Sequence, residues 1–381
     1  MSAEIRTLAD GEKITEPGFY SISLDQHHSQ PCDGPSVTSG VLRKLFLESP
    51  ADVWAFSRLN PNRYPQPDST ALRLGRAMAA FVEGGMDAVA QEYLVLPKDK
   101  PSRPTEAQMD NYHKRGAGDL SKFMVLPDAR PRRPTEKQIA DVAAGKGTAA
   151  ATNSVDFWAR VDADGREGLS QSEANSLVAL KKKVGFWANI EADGRTPLTD
   201  AEITMIEDMG EVLAADPAAS IIMGGLPEVT MAYRDQITGL WVLARPDTIN
   251  FDGSVTDYKK MTAQGRPFNH SIVDRRITQH GYDMQLALGA EAFENLTGEW
   301  PEIAGIIAQS DKPPHHVILR EIDQNDLRIG QKSNRIALDR FAKCLEENHW
   351  PGPADDSGVY IRPEWQREQL LELFQTEGNS Q

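Results

Sequence analysis

The stretch GLWVLARPDTINFDGSVTDYKKM, residues 239–261, decides how the chain folds. Its two halves are rich in β-branched and aromatic residues, and Asp252 and Gly253 stand between them at a turn position. Together with EVTMAYRD at 228–235, the pattern predicts a three-stranded antiparallel meander. A hairpin that turns at Asp252 and Gly253 would bring Asp247, at the end of one strand, alongside the next strand.

Ionisable side chains are concentrated on this predicted meander. Because side chains alternate along a strand, Asp257 and Lys259 share one face, and Asp247 and Glu228 can approach them. Three carboxylates and one ammonium group would then converge. Hard oxygen ligands suit Mg²⁺ or Mn²⁺, and a lysine beside them can orient an attacking water. The cluster predicts metal-assisted phosphodiester hydrolysis, whereas ordinary surface ion pairs are the alternative interpretation.

Helical patterns surround these strands. Apolar residues recur at intervals of three and four over 39–56 and 69–85, and a further helix is predicted over 280–296. The remaining predicted elements are a strand at 315–322 and helices around 326–348 and 363–374. We therefore predict an α/β fold in which a central mixed sheet is flanked by helices.

The length of 381 residues is typical of two or three domains. We predict an N-terminal helical part at 1–91, a helical repeat-containing insertion at 92–210, and a core with C-terminal helices at 211–381. The two cysteines are far apart and offer neither a disulfide framework nor a zinc site. The N-terminal residues lack the apolar segment of a signal peptide, and no eighteen successive residues are apolar. We expect a soluble cytoplasmic protein without a membrane partner.

Internal repeats occupy the predicted insertion. PSRPTEAQ at 101–108 recurs as PRRPTEKQ at 131–138, and FWARVDADGREGLSQSE at 157–173 recurs as FWANIEADGRTPLTDAE at 186–202. Every copy ends in a capping-box pattern, in which a hydroxyl and a side-chain carbonyl each bond a free backbone N–H. The repeats therefore predict helix starts.

Calcium binding by the DADGR segments is a weaker interpretation. DADGREGLSQSE and EADGRTPLTDAE place acids like those of an EF-hand loop. Such a loop requires Asp or Asn at its fifth position and Gly at its sixth, where these copies have Arg166 with Glu167 and Arg195 with Thr196. A calcium-responsive scaffold is therefore the least favoured alternative function.

Basic residues are concentrated in the same region. The whole chain has a formal charge of -15, whereas residues 97–147 carry eleven Lys or Arg and seven Asp or Glu. An acidic chain disfavours nonspecific binding to a polyanion, but a basic segment can follow the phosphates of DNA. The candidate DNA contacts are Arg103, Arg130, Arg132 and Arg133, and a solvated loop before a helix is the alternative interpretation.

Several segments together resemble one nuclease family. RPD at 245–247, DYK at 257–259, Glu228 upstream and YDMQLALG at 282–289 resemble the PD-(D/E)xK nucleases, in particular their RecE-like, exonuclease VIII type from phages and prophages. Further landmarks in the family's usual order are PGFYSISLDQHH at 17–28, PSVTSGVLRKLFLESPADVWAF at 35–56, LGRAMAAFVEG at 74–84 and CLEENHWPG at 344–352. The resemblance covers most of the chain, and the repeats match only loosely.

The resemblance implies a role for each matching residue. Asp247 and Asp257 would hold Mg²⁺ or Mn²⁺, and Lys259 would position the water nucleophile. Glu228 would act as a further acidic metal ligand or as a base, and Gln285 would support the site. These roles belong to a PD-(D/E)xK restriction-endonuclease-like core, a central mixed sheet with helices on both sides.

The resemblance also implies an activity and its partners. Members of the family degrade one strand of duplex DNA from an end, usually 5′-to-3′. They work as ring-shaped homo-oligomers and hand the exposed strand to a single-strand annealing protein during recombination. We therefore expect a Mg²⁺-dependent exodeoxyribonuclease.

Two positions depart from the family pattern. The GRA motif is usually followed, two positions after its alanine, by a histidine that binds the metal, and here Ala79 takes that place. Relatives that resemble lambda exonuclease use carboxylates instead, so Glu228 could compensate. Gly289 stands where the family usually has a tyrosine. The alternative function is therefore a DNA-end-binding or interaction module that keeps the fold with weakened or absent hydrolysis.

Overall fold

The structure, a computed structural model, describes residues 4–9, 11–65, 69–353 and 362–378. The chain divides into two compact units, one made of residues 1–83 and 205–381 and the other of residues 84–204. The described residues form these strands: β1 Ile5–Thr7, β2 Gly18–Ser21, β3 Ser36–Thr38, β4 Tyr93–Leu96, β5 Phe123–Leu126, β6 Glu167–Ser170, β7 Thr196–Thr199, β8 Leu226–Pro227, β9 Thr230–Arg234, β10 Trp241–Ala244, β11 Thr248–Asn250, β12 Ser254–Met261, β13 Ile303–Ser310 and β14 Val317–Glu321. Their helices are α1 Leu24–His28, α2 Ser39–Leu47, α3 Pro50–Phe56, α4 Thr70–Glu92, α5 Glu106–Lys114, α6 Glu136–Ala143, α7 Ala149–Asp164, α8 Gln171–Asp193, α9 Asp200–Ala215, α10 Pro217–Met223, α11 His270–His280, α12 Tyr282–Thr297, α13 Gln324–Glu347 and α14 Glu364–Gly378.

The first unit contains two five-stranded mixed sheets. The first sheet has the strand order β1-β2-β9-β10-β3, with parallel pairs at its edges and antiparallel pairs between them. The second has the order β14-β13-β12-β11-β8, in which only β12 and β13 are parallel. α12 contacts strands of both sheets. The predicted α/β class with mixed strands and flanking helices is confirmed, with two sheets in place of one.

The predicted three-stranded meander is wrong. β9 and β10 pair in the first sheet, whereas β11 and β12 pair in the second. Pro246 lies at the break between β10 and β11, where it has no N–H to offer to a sheet ladder. The predicted turn is confirmed, because Thr248 lies opposite Thr256 in the β11–β12 hairpin. Gly253 in this turn has a φ of 102°, a conformation that other residues rarely adopt.

β13 is an interior strand of the second sheet that the sequence pattern does not predict. β13 runs parallel to β12 along its whole length and places Ile306 opposite Asp257. Its sequence IAGIIAQS is buried at every position after the first, so it lacks the alternation that identifies a strand with one exposed face. A short apolar run of this kind resembles a buried helical segment in sequence.

α12 lies in the middle of the core of the first unit. It confirms the helix predicted over 280–296. Leu286, Leu288 and Phe293 are buried in one hydrophobic cluster with residues of both sheets. Burial of such a side chain contributes about 1.5–3 kcal/mol. α13 packs closely against α12, since a Cβ on Gly330 would lie 2.9 Å from the Cβ of Ala287.

The predicted helix over 39–56 consists of two helices, α2 and α3. Pro50 begins α3, because proline suits the first helical position, and Ser49 caps it. The helix predicted over 69–85 is the first part of α4, which leaves helical geometry at residues 84–85. The strand and helices predicted near the C-terminus are confirmed as β14, α13 and α14. Among the described residues, no helix combines the length and apolarity needed to cross a membrane.

The second unit contains two nested copies of one arrangement. β5 and β6 form one parallel pair. β4, which precedes β5 in the chain, and β7, which follows β6, form a second parallel pair that encloses the first in sequence. In each copy a tryptophan N–H donates to a proline carbonyl, from Trp158 to Pro131 at 3.0 Å and from Trp187 to Pro101 at 3.1 Å. The capping boxes of the repeats are confirmed. The repeats therefore supply both the starts of the helices and the tryptophan-to-proline hydrogen bonds that link one repeat type to the other.

Candidate active site

Asp247 and Asp257 lie together where the β11–β12 hairpin begins. The backbone N–H of Asp247, directly before β11, donates to Oδ1 of Asp257 at 3.2 Å. The backbone N–H of Tyr258 donates to Oδ2 of Asp247 at 2.6 Å. Two main-chain bonds therefore orient both carboxylates, and the structure brings together the two residues to which the sequence analysis assigned the metal.

Lys259 completes this group. Its position two residues after Asp257 places both side chains on one face of β12. Lys259 Nζ lies 3.7 Å from Oδ1 of Asp257 and 3.9 Å from Oδ2 of Asp247. The centre of the Tyr282 ring, at the start of α12, lies 5.5 Å from the same nitrogen. The ammonium group is therefore held between two carboxylates and an aromatic face.

The surroundings set the charges of these groups. Burial raises the pKa of Asp247 to about 7, because the attraction of Lys259 only partly offsets burial and the repulsion from Asp257 and Glu228. Burial lowers the pKa of Lys259, but Asp257 and Asp247 outweigh it and raise this pKa above its ordinary value. This shift favours the ammonium form of Lys259, which suits hydrogen-bond donation.

Glu228 lies beside the pair of aspartates, yet its carboxylate binds an arginine. Its backbone N–H donates to the carbonyl of Asp247 at 3.0 Å. Its side chain forms an ion pair with Arg245, which lies between β10 and β11. Asp247 and Asp257 thus meet, while Glu228 lines the same cavity as Asp247 and is ion-paired with Arg245, so its role as a third acidic ligand stays a prediction. Within the described residues, no group of three or more His, Cys, Asp or Glu side chains is arranged to hold a metal ion.

Gln285 lies on α12 next to Asp257. The two residues line a cavity of about 10 Å³ together with Ser39 and Arg245. The Oε1 of Gln285 is buried and has no hydrogen-bond partner in the described part of the chain. The structure thus places Gln285 where a supporting role at Asp257 is geometrically available.

The two departures from the family pattern have different structural settings. Ala79 on α4 lines a cavity of about 140 Å³ together with Glu228, Asp247 and Tyr258. Its small side chain therefore leaves room beside the carboxylates. Gly289 lies where α12 crosses β12, and a Cβ there would come within 2.9 Å of the side chain of Val255. Close packing accounts for the glycine, because a larger residue would force the side chain of Val255 to shift.

The donor set suits a hard divalent cation. Asp247 and Asp257 each use one carboxylate oxygen in the main-chain bonds, and their other oxygens accept no hydrogen bond from the described residues. The raised pKa of Asp247 reflects in part its repulsion from Asp257, which a cation between them would remove. The cavity of about 140 Å³ beside Asp247 has room for the waters that Mg²⁺ retains. Asp247 and Asp257 are therefore the residues that would hold Mg²⁺ or Mn²⁺.

Arg43 is a neighbour of the site that the sequence analysis missed. It lies on α2, and its Nη1 donates to the carbonyl of His280 at 3.0 Å. Its guanidinium lies 5.6 Å from the centre of the Tyr282 ring, so this ring contacts both Arg43 and Lys259. The apolar spacing of α2 marks the helix, but it does not distinguish an inward-facing arginine from a solvated one.

The four arginines predicted to contact DNA all lie in the second unit. Arg103 and Arg133 stack on the two repeat tryptophans at 4.9 and 5.0 Å and form ion pairs with acidic residues. Arg130 and Arg132 form no ion pair with any residue that the structure describes. Two of the four guanidinium groups thus form ion pairs within the protein, Arg130 donates to the Pro127 carbonyl at 3.5 Å, and DNA contact by any of the four stays a prediction.

Arginines also occupy the acidic EF-hand-like loops. Arg166 donates to both carboxylate oxygens of Asp164 at 2.5 and 2.9 Å. Arg195 binds Asp193 in the same way at 2.7 and 3.0 Å. The carboxylate at the third loop position is therefore neutralised by the protein's own cation, which argues against calcium in either loop.

One family model matches the part of the chain that contains the candidate site. Residues 179–362 match the model of a family described as "PDDEXK-like domain of unknown function (DUF3799)". The matched region includes Glu228, Asp247, Asp257, Lys259 and Gln285. The match supports a PD-(D/E)xK nuclease fold for this part of the chain. It does not extend to the RecE-like type, which stays a prediction.

The other comparisons add less. The comparison with curated proteins found no match. One similar solved structure is described as that of a "Putative exonuclease" from Eubacterium rectale, with 13% sequence identity and a TM-score of 0.49. The similarity covers 90% of this chain and 96% of that one.

Proposed function

We propose that this protein is a divalent-metal-dependent deoxyribonuclease that hydrolyses phosphodiester bonds at the Asp247, Asp257 and Lys259 site. The observation that carries the proposal is the position of Lys259 Nζ within 4 Å of both carboxylates. Two acids that can share a hard cation, with an ammonium group beside them, form a site for hydrolysis of a phosphate ester. The PDDEXK-like family match over the same residues supports the same chemistry.

Each residue of the site has a distinct task in this proposal. Asp247 and Asp257 hold the cation, and the main-chain bonds from Tyr258 and Asp247 keep their oxygens in place. When bound, Mg²⁺ polarises a phosphoryl oxygen and lowers the pKa of a water. Lys259, protonated and held by the aspartates and Tyr282, donates a hydrogen bond that orients the attacking water or stabilises charge on the phosphate.

The finer activity rests on the family resemblance. We propose that the substrate is duplex DNA, degraded on one strand from an end and in the 5′-to-3′ direction. By the same resemblance, the protein assembles as a homo-oligomeric ring in the cytoplasm and passes the exposed strand to an annealing protein. Of these statements, action at an end is the simplest to measure and the one on which the others depend.

A digestion assay tests the activity. Linear duplex DNA with a 5′-phosphate is incubated with purified protein in Mg²⁺, Mn²⁺ or EDTA, beside covalently closed circular duplex. We expect metal-dependent release of nucleotides from the linear DNA alone. Asp257→Asn and Lys259→Ala should each reduce the rate by about 100-fold or more. Lys260→Ala is the matched control, since Lys260 neighbours Lys259 but points to the other face of β12. Digestion of the covalently closed circular DNA would contradict an exonuclease and indicate an endonuclease.

The alternative is a DNA-end-binding module with weakened or no hydrolysis. The observation in its favour is Ala79, which contributes no ligand to the cavity beside Asp247. The same assay separates the two functions when binding to the labelled linear duplex is measured in parallel. Binding without release of nucleotides in either metal supports the module and overturns the enzyme.

A further inference from the structure

Arg43 is held in place where α11 ends and α12 begins. Its Nη1 donates to the carbonyl of His280, the last residue of α11, at 3.0 Å. A Cβ on the next residue, Gly281, would lie 3.5 Å from Cδ of Arg43, so the arginine chain packs directly on this glycine. The guanidinium lies 5.6 Å from the centre of the Tyr282 ring. Both the aliphatic part and the charged end of Arg43 therefore have defined contacts.

This position is close to the candidate metal site. The Tyr282 ring that Arg43 contacts also faces Lys259 Nζ, at 5.5 Å from the ring centre. Among the charges that favour the cationic form of Arg43, the largest effect is that of Asp257. Arg43 in turn opposes the positive charge of Lys259. Arg43 is therefore a second cation within electrostatic reach of the site, although it belongs to a different element, α2.

The charge of Arg43 has no carboxylate bound to it. In the described part of the chain Arg43 forms no ion pair, its Nε is buried without a hydrogen-bond partner, and burial lowers its pKa. By contrast, two other partly buried arginines of the same unit form ion pairs with aspartates, Arg320 with Asp274 and Arg335 with Asp235. A partly buried cation without a bound anion is costly to the fold, so it needs an explanation.

We propose that Arg43 binds a phosphate group of the DNA strand that lies at the metal site, through charge-assisted hydrogen bonds from its guanidinium to the phosphate oxygens. The inference rests on the proposed function and deepens it, because it adds a substrate contact from α2. The two aspartates repel a phosphate, and Lys259 offsets only one of their two formal charges. Arg43 offsets the other. The structural alternative is that Arg43 only stabilises the carboxyl end of α11 through the His280 carbonyl.

DNA binding in EDTA tests the contact in the absence of hydrolysis. The affinity for a short, labelled, blunt-ended duplex is measured over a range of salt concentrations for wild type, Arg43→Gln, Arg43→Lys and Lys44→Gln. We expect Arg43→Gln to weaken binding by about 10-fold and to reduce the slope of log affinity against log salt by about 1. Arg43→Lys keeps the charge and should keep the slope. Lys44→Gln is the matched control, since Lys44 is the exposed neighbour on α2 and lies over Phe56, and its slope should stay that of wild type.

Digestion of linear duplex in Mg²⁺ gives a second readout. We expect kcat/KM to fall by about 100-fold in Arg43→Gln and by about 10-fold in Arg43→Lys, because a single ammonium group cannot replace two parallel hydrogen bonds. A salt slope of Arg43→Gln equal to that of wild type, in a variant whose thermal unfolding shows a folded state, would overturn the proposal and leave the structural alternative. An equal loss of slope in Lys44→Gln would also overturn it, because the effect would then be general surface charge. Should Arg43→Gln fail to fold, wild-type kcat/KM in Arg43→Lys would overturn the contact.

Failure of the proposed function is recognised separately. If wild type binds the duplex but releases no nucleotides in Mg²⁺ or Mn²⁺, the deoxyribonuclease proposal fails, and the salt slopes still decide whether Arg43 contacts a phosphate. If wild type digests DNA while Arg43→Gln digests and binds it equally well, the enzyme stands and only the role of Arg43 is overturned.

Discussion

Tyr258 donates its backbone N–H to Oδ2 of Asp247 at 2.6 Å, directly across the β11–β12 hairpin. The main chain therefore helps to orient this carboxylate, together with Lys259, whose Nζ lies 3.9 Å from the same oxygen. An asparagine at position 247 can accept the same bond through its amide oxygen. Asp247→Asn thus removes the charge and keeps the geometry, which makes it a clean probe of the electrostatics.

The first prediction concerns the stability of the metal-free protein. Because the pKa of Asp247 is raised from 3.8 to about 7, the folded state holds a proton that the unfolded state has already lost at intermediate pH. The contribution of this carboxyl group to the free energy of unfolding therefore falls as the pH rises from about 4 to 7. We expect Asp247→Asn to raise Tm in EDTA, and to raise it more at pH 8 than at pH 5.

Two controls accompany this measurement. Asp252→Asn changes an exposed aspartate of the same hairpin and should shift Tm equally at both pH values. Addition of Mg²⁺ at pH 8 should stabilise wild type but not Asp247→Asn, because only the wild-type site binds the ion. An equal effect of Asp247→Asn at pH 5 and pH 8 would contradict the raised pKa.

The second prediction uses the space beside Ala79. The cavity of about 140 Å³ that Ala79 shares with Glu228 and Asp247 can receive a larger side chain. We expect Ala79→His to place an imidazole beside Asp247 and to raise Mn²⁺ affinity by about 10-fold. Ala79→Leu fills the same space without a ligand, so its affinity should remain that of wild type. Equal affinities of the histidine and leucine variants would show that this position does not reach the cation.

The third prediction tests the packing of α13 on α12. A Cβ on Gly330 would lie 2.9 Å from the Cβ of Ala287 and 3.0 Å from the carbonyl oxygen of Asp283. Because backbone cannot yield as a side chain can, Gly330→Ala should destabilise the protein by about 1–3 kcal/mol. Gly75→Ala on α4 is the matched control, since its Cβ would meet no atom within 4 Å. Chemical denaturation should find the control neutral or stabilised by up to about 1 kcal/mol.

The sequence predicts the parts of this site that depend on interactions between residues close together in the chain, and not the parts that depend on residues far apart in it. The hairpin with Asp247 and Asp257 depends on local turn chemistry at Asp252 and Gly253 and on side-chain alternation, which sequence records directly. The ion pair of Arg245 with Glu228 depends on the division of the strands between two sheets. Alternation along a strand says nothing about which sheet the strand joins. The pairing of β12 with β13 is equally non-local, and the unbroken apolar run of β13 lacks a periodic signal.

The last prediction concerns the basic segment of the second unit. Arg130 and Arg132 form no ion pair within the described residues, whereas Arg103 and Arg133 stack on tryptophans and bind acids. A guanidinium already neutralised inside the protein releases few counterions on binding a phosphate. If the segment contacts DNA, Arg130→Gln/Arg132→Gln should reduce the slope of log affinity against log salt by about 2. Arg103→Gln/Arg133→Gln is the control and should change the slope less. An unchanged slope in the first variant would leave this segment without a role in DNA binding.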